Sequence, residues 1–434
     1  MTKIKKILLI LLAFVLSLGL VLSGIFLIRK YLLPPSVPPA DMNVTLEYWG
    51  VFEPPQVMYP LIKKYQKTHP KVTINYTQRT FENDFSRYRG TLLTRLKEGS
   101  GPDIMRVHST WIPAFYNELS PVDSSISLED FTKRFYPVAK DQCVTTSGQI
   151  LCIPLMYDGL VLLYNRDMFN AEGLTVPESW DELREDAIKL TKRTREQVTR
   201  GGAALGTASN VSNSSDILGL MLLQSGVKIP DAFDSAAAVS AVTFYTNFFK
   251  ADKVWDDAMP DSIVAFAAQK TAMAFGNSWQ ILEVLSLNPT LNFAAAPVPQ
   301  LPNADGTLTK ETLASFWVET VSADSDPAKK KAAWDFLNWL SQPEQQVMLY
   351  SEESKYRRFG EIYSDVSLMD NIKTTPYIGA IVQQAPWAVA LQIADQSGND
   401  KYVDVMNWII DQILAGKEPL KTLQTAKQNY VKLK

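Results

Sequence analysis

Two rhythms of apolar and polar positions alternate after residue 43. Residues 44–48 read as a strand that ends at Trp49-Gly50, and Met58, Leu61, Ile62 and Tyr65 then recur at i, i+3, i+4 and i+7, one face of a helix. Val72, Ile74 and Tyr76 alternate as a second strand. Tyr88, Leu92, Leu93 and Leu96 predict a helix stopping near Gly99, after which Gly101-Pro102-Asp103 introduces a strand over 104–107. The pattern persists further on. A continuous apolar strand over 160–164 ends at Asn165-Arg166-Asp167, and Ser179 with Glu182 forms a capping box that opens a helix. Residues 271–275 predict a strand of a second domain. Asp326-Pro327 starts a helix with Ala333, Phe336, Leu337 and Leu340 on one face, Ser341 with Glu344 reads as another capping box, and Met406, Ile409, Ile410 and Ile413 mark a late helix. Strands alternating with helices predict an α/β fold built on largely parallel sheet.

The first forty residues break this pattern. Lys3, Lys5 and Lys6 precede 22 uncharged positions, 7–28, followed by Arg29-Lys30. At about 1.5 Å per residue this run spans roughly 33 Å, enough to cross a bilayer. Leu22-Ser23-Gly24 starts like a lipobox, but Ile25 stands where the lipidated cysteine belongs. The expectation is an uncleaved single-pass transmembrane anchor in the cell membrane with the globular part extracytoplasmic, and the alternative is a cleaved signal peptide. Pro34-Pro35-Ser36-Val37-Pro38-Pro39 predicts an extended stalk.

Composition narrows the class. The 434 residues exceed one core and suit two domains. A net charge of −3, with no basic patch, gives no reason to expect nucleic acid. Two histidines and two cysteines, all distant, make a structural zinc site a poor fit, and no cofactor motif is present. A two-residue turn at Ser147-Gly148 would pair Cys143 with Cys152 across a hairpin, which predicts a disulfide. Two free thiols in a reducing compartment are the alternative.

The stretch from Gly148 through Pro154, Tyr164-Asn165-Arg166-Asp167-Met168-Phe169, Gly173, Pro177 and Trp180-Asp181-Glu182-Leu183 closely resembles the family 1 extracellular solute-binding proteins of ABC importers, the maltose-binding-protein-like group. Trp49, Gly101-Pro102-Asp103-Ile104, Ala272 to Trp279, Ala296-Pro297-Val298-Pro299 and Gln342-Pro343-Glu344-Gln345 extend the resemblance from about 44 to 350. It implies two α/β lobes closing over a ligand, a periplasmic-binding-protein-like fold, with hinge crossings near 154–158, 294–299 and 345–359. The expected division is an anchor over 1–30, a stalk over 31–42, a first lobe of 43–154 with 297–345, and a second of 155–296 with 346–434. One departure stands out: Lys355-Tyr356-Arg357-Arg358-Phe359-Gly360 lacks the proline of the family's turn there.

Ligands of open α/β sheets sit beyond the carboxyl ends of strands. Three such junctions carry tryptophan beside small or polar residues: Trp49 with Glu53, Trp111, and Asn277 with Trp279. An indole covers the apolar face of a sugar ring while amides and carboxylates satisfy its hydroxyls. Tyr157 and Asp158 in the first crossing, Trp317 and Trp387 complete the expected ligand-binding set. The implied function is capture of a carbohydrate by a monomeric receptor and delivery to the membrane subunits of an ABC importer. A sensory or adhesive receptor without transport is a second reading. A glycoside-cleaving enzyme is a third, since Glu53, Asp84 and Asp158 are carboxylates, but no nucleophile elbow, phosphate loop or metal cluster accompanies them.

Overall fold

The computed structural model describes residues 43–433, apart from 82, 83 and 196. The expected anchor and stalk lie outside the described residues. Among the described residues no helix is long and apolar enough to cross a membrane.

Eleven strands are described: β1 Val44–Gly50, β2 Val72–Gln78, β3 Ile104–His108, β4 Val161–Asn165, β5 Lys192–Arg193, β6 Val198–Ala203, β7 Thr271–Gly276, β8 Phe293–Ala296, β9 Thr312–Leu313, β10 Trp317–Val321 and β11 Ala388–Val389. They build a four-stranded sheet in the order β10-β3-β1-β2, a five-stranded sheet β5-β6-β7-β4-β8, and a short β9–β11 pair. Each large sheet centres one lobe. The sheets are mixed, not largely parallel. β1 runs parallel to β3 and β6 to β7, whereas β10 is antiparallel to β3, and β4 is antiparallel to both β7 and β8. Two of the antiparallel strands, β4 and β10, begin where the chain has just crossed from the other lobe.

Helices cover the sheets by the faces their periodicity marks. Pro55–Thr68 buries Val57, Met58, Leu61, Ile62 and Tyr65. Phe85–Lys97 buries Tyr88, Leu92 and Leu96, and Gly99 just beyond takes the left-handed φ of +66° that ends such helices. Each buried aliphatic side chain contributes about 1.5–3 kcal/mol. The Ser179–Glu182 capping box forms as expected, with Glu182 N–H to Ser179 Oγ at 3.3 Å and Ser179 N–H to Glu182 Oε2 at 3.2 Å. The second box does not. Pro343 opens its helix one residue later, Ser341 ends the preceding helix with its hydroxyl on Asn338 O, and Glu344 pairs with Lys64 at 2.6 Å.

The disulfide Cys143–Cys152 is present, with Cα atoms 5.1 Å apart, but the expected hairpin register is wrong by one residue. Cys143 ends the helix Pro137–Cys143, and the bridge pairs Val144 with Ile150. Gly148, at φ +83°, supplies the left-handed residue of a three-residue loop closed by Thr145 N–H to Gln149 O. Two of the expected crossings also move. The first runs from Ile153, which bridges Glu319, to Gly159, which bridges Ala314. Residues 298–311 stay with the second lobe, where Gln300 N–H bonds Glu178 O and Gln224 bonds Pro299 O. The second crossing is therefore at 314–316, not 294–299. Residues 345–359 remain with the first lobe, because the helix Pro343–Glu353 lies on Pro55–Thr68. Ser364 Oγ still bonds Pro154 O beyond it. The third crossing follows residue 364.

Candidate functional site

The carboxyl ends of β1 and β3 and the start of β10 meet at one edge of the first lobe, since Trp317 is in register with His108. Gly50 turns the chain there. A Cβ on it would fall 2.1 Å from Tyr76 Oη, which crosses underneath to donate to Glu53 O at 2.6 Å. The loop so held presents Phe52, 36% exposed, edge-on to Trp317 at 5.2 Å. Phe85, His108 and Trp111 surround the same indole. His108 is buried between Thr110 Oγ1 at 2.8 Å and Ser315 Oγ at 3.1 Å, and burial pushes its imidazole down to about 3, so the ring is neutral.

Behind this wall lies a buried charge network. Arg106 on β3 joins Glu319 of β10 at 2.6 Å and Glu53 on its other side. Burial pushes Glu53 upward, but Arg106 more than reverses it and holds the carboxyl below its ordinary range. Arg357 bridges Glu353 at 3.1 Å and Glu361 at 2.8 Å, and carboxylate oxygens of Glu53, Glu353 and Glu361 lie within 4.8 Å of one another. Burial and the neighbouring Glu361 raise Glu353 well above the usual carboxylate range.

The second lobe contributes Asp158. Its carboxylate accepts the Ser278 N–H at 3.1 Å and the Ser278 hydroxyl at 2.7 Å, at the first turn of the helix Ser278–Leu287, and the Gly159 N–H at 2.7 Å. Burial outweighs these bonds and pushes the carboxyl up to about 7. Trp279, one residue on, is 38% exposed, and among the described residues no ring or guanidinium packs on it. Ser315 ties the two walls together: its N–H bonds Asp158 O at 3.1 Å while its hydroxyl meets His108. A strap over 392–399 spans the lobes as well. Gln392 and Asn399 donate to Thr110 O and Oγ1 at 2.8 and 2.7 Å, and Ser397 O accepts the Trp111 indole N–H at 2.7 Å. On the other side Asp395 N–H bonds Asp216, and Asn213 N–H bonds Asp395.

With that geometry in place, the sequence profile of the bacterial extracellular solute-binding proteins matches residues 51–347. The chain belongs to this family. Among relatives of this solute-binding protein, the multiple sugar-binding protein of Streptococcus mutans is 22% identical over 289 residues, covering 61% of this chain and 64% of that protein. A Thermotoga lettingae ABC transporter solute-binding protein, solved with α-D-tagatose, superposes with a TM-score of 0.66 at 22% identity, covering 89% of this chain and 99% of that one. A cyclo/maltodextrin-binding protein complexed with maltotetraose gives 0.73 at 17% identity, over 92% and 98%. These likenesses establish the mixed α/β, periplasmic-binding-protein-like fold.

The nine residues expected at the ligand separate in this solute-binding protein. Asp158 and Trp279 come to the interlobe edge, whereas Trp317 is buried there among Phe52, Phe85, His108 and Trp111 and offers a ligand no open face. Asn277 beside them is buried, its N–H on Gln280 Oε1 at 2.9 Å, and serves the helix start. Trp111 is fully buried with its N–H engaged, so it offers no face to a ligand. Trp49 projects from the other face of its sheet, where Arg79 covers its ring at 4.3 Å. Glu53, 2% exposed, turns inward to Arg106 because a buried carboxylate needs a charged partner. Tyr157 packs between Tyr136 and Phe316. Trp387 lines a pocket along β8 of the second lobe, to which Trp317 does not contribute. Sequence reasoning missed Phe52, Ser278, Ser315 and the strap. Phe52 stood in the same strand-end motif as Trp49. Nothing local marks Ser315 or the run Asp395-Gln396-Ser397-Gly398-Asn399 as facing the other lobe.

Proposed function

We propose that this chain is the receptor subunit of an ABC importer, tethered to the membrane by its N-terminal segment, and that it captures a mono- or oligosaccharide between its lobes without chemically altering it. One observation carries the reading: Ser315 joins His108, beside Phe52 and Trp317 at the edge of one lobe, to Asp158, whose carboxylate holds the Ser278 turn that leads to Trp279 on the other. Exposed aromatic surface on Phe52 and Trp279, with the Asp158 carboxyl beside Trp279, matches the two sides of a pyranose, its CH face and its hydroxyl rim. The relative named for sugars and the structures solved with tagatose and maltotetraose support the same ligand class. Ligand that touches both walls stabilises the closed arrangement by its differential affinity for it, which is the signal a permease reads.

A thermal-shift screen over mono- and oligosaccharides, followed by calorimetric titration of the hits, tests the proposal. A sugar-specific rise in melting temperature with saturable binding is expected. Failure of every saccharide, beside a response to amino acids or peptides, would overturn it.

A further inference from the structure

We propose that the second lobe carries a separate binding site, outside the interlobe edge, for saccharides bearing carboxylate or sulfate groups. A pocket of about 630 Å³ runs along β8, the outermost strand of its sheet. Tyr164, Arg166, Glu178, Lys310, Lys373 and Trp387 line it, and Asp158, Ser278, Trp279 and Trp317 do not. Its volume lies within the range of small-molecule sites. The second lobe carries the lining, and the Ala385–Trp387 turn also packs on the first-lobe helix Pro137–Cys143.

The chemistry of the lining selects the ligand. Trp387 is half-buried, and among the described residues no ring stacks on it and no acceptor takes its indole N–H. A flat apolar face and one donor are thus free, as a sugar ring requires. Arg166 and Lys310 are exposed at the rim, and among the described residues neither has a carboxylate within ion-pair distance. Lys373 is partly neutralised by Asp370 at 2.7 Å, and Glu178 is the one acidic side chain of the lining. The amides add few free acceptors. Gln300 is consumed by Val298 O, Glu311 and Thr309, and Gln383 donates to Lys373 O at 2.8 Å. Beside the Glu178 carboxylate and the Tyr164, Thr374 and Tyr377 hydroxyls, the lining offers N–H donors with excess positive charge. A neutral sugar would leave the guanidinium and ammonium unpaired, whereas an acidic one meets Arg166 through a two-pronged contact and Lys310 as a point charge. Carboxylate and sulfate share this chemistry.

Calorimetric titration of the full-length protein with trigalacturonate, a sulfated heparin tetrasaccharide and neutral maltotriose separates the cases. At least one acidic probe should bind wild type, and the tighter one assigns the acid group. The double variant Arg166→Gln with Lys310→Gln, and Trp387→Ala, should each weaken that binding at least tenfold without shifting the melting temperature. Trp279→Ala at the interlobe edge should leave it unchanged. Absence of binding by both acidic probes overturns the proposal, as does binding that survives the double variant or is lost in Trp279→Ala. The interlobe reading is independent. A neutral sugar captured there should bind the double variant as it binds wild type.

Discussion

At the first turn of its helix Trp279 presents an open indole face beside the Asp158–Ser278 contact, so its replacement should be felt by ligand and hardly by the fold. Trp279→Ala is expected to weaken binding of the captured sugar by about 1.5–3 kcal/mol, the scale of one large apolar contact. Trp111→Ala should do the opposite, costing roughly 3–5 kcal/mol of stability, because it empties a fully buried site among Tyr88, Phe115 and Trp317. Titration and denaturant melts on both variants check the pair, and a Trp279 variant of unchanged affinity would remove it from the site. Asp158 has a signature of its own. Its folded carboxyl titrates at about 7 against an ordinary 3.8, so between those values the native state holds a proton that the unfolded chain has released. Its contribution is full below about 4 and is lost as pH rises through 7. Asp216, raised to about 8 by burial and the nearby Asp395, acts in the same direction. Denaturation midpoints of wild type and Asp158→Asn between pH 4.5 and 8 should differ in slope, with the variant losing less stability on the way up. Identical slopes would refute the assignment.

Elements with a local code were legible and those set by distant partners were not. The faces Met58-Leu61-Ile62-Tyr65 and Met406-Ile409-Ile410-Ile413 are buried as their spacing dictates, because helical periodicity is written within a dozen residues. The Cys143–Cys152 hairpin shows the limit. Sequence proximity was enough to forecast the bond, yet the register slipped because Gly148 lengthens the loop and a helix runs up to Cys143. The positions of the crossings depend on Ser315, Asp158 and Ser364, whose partners lie far along the chain, so no local pattern could place them. Trp111 and Trp279 have similar sequence surroundings, and it is distant partners, Trp317 and the strap over 392–399 among them, that seal the first. Because the disulfide closes a short loop, its removal should cost roughly 2–3 kcal/mol in the chain-entropy model. Cys143→Ala with Cys152→Ala, measured by denaturant melt, should fall in that range. Ligand affinity should hold, since neither sulfur reaches the interlobe edge.

For the whole molecule, the proposed N-terminal anchor would set where capture occurs. Intact-mass measurement of protein extracted from membranes should find the chain with residues 1–28 retained, and a species starting after Ile25 would replace the anchor by a cleaved leader. The strap has a different consequence. Its bonds to Thr110 and Trp111 join the lobes through residues other than those proposed to meet the sugar, so they would add to any preference for the joined arrangement. Apparent affinity scales with the fraction of molecules already in the competent arrangement, whatever the ligand. Asn399→Ala, which removes one such bond worth about 1 kcal/mol, should therefore weaken every ligand of the interlobe edge by the same factor, at most roughly fivefold. Such a variant shifts a preference profile as a block and leaves its order untouched. Evolution can thus tune how greedily this receptor collects without changing its taste.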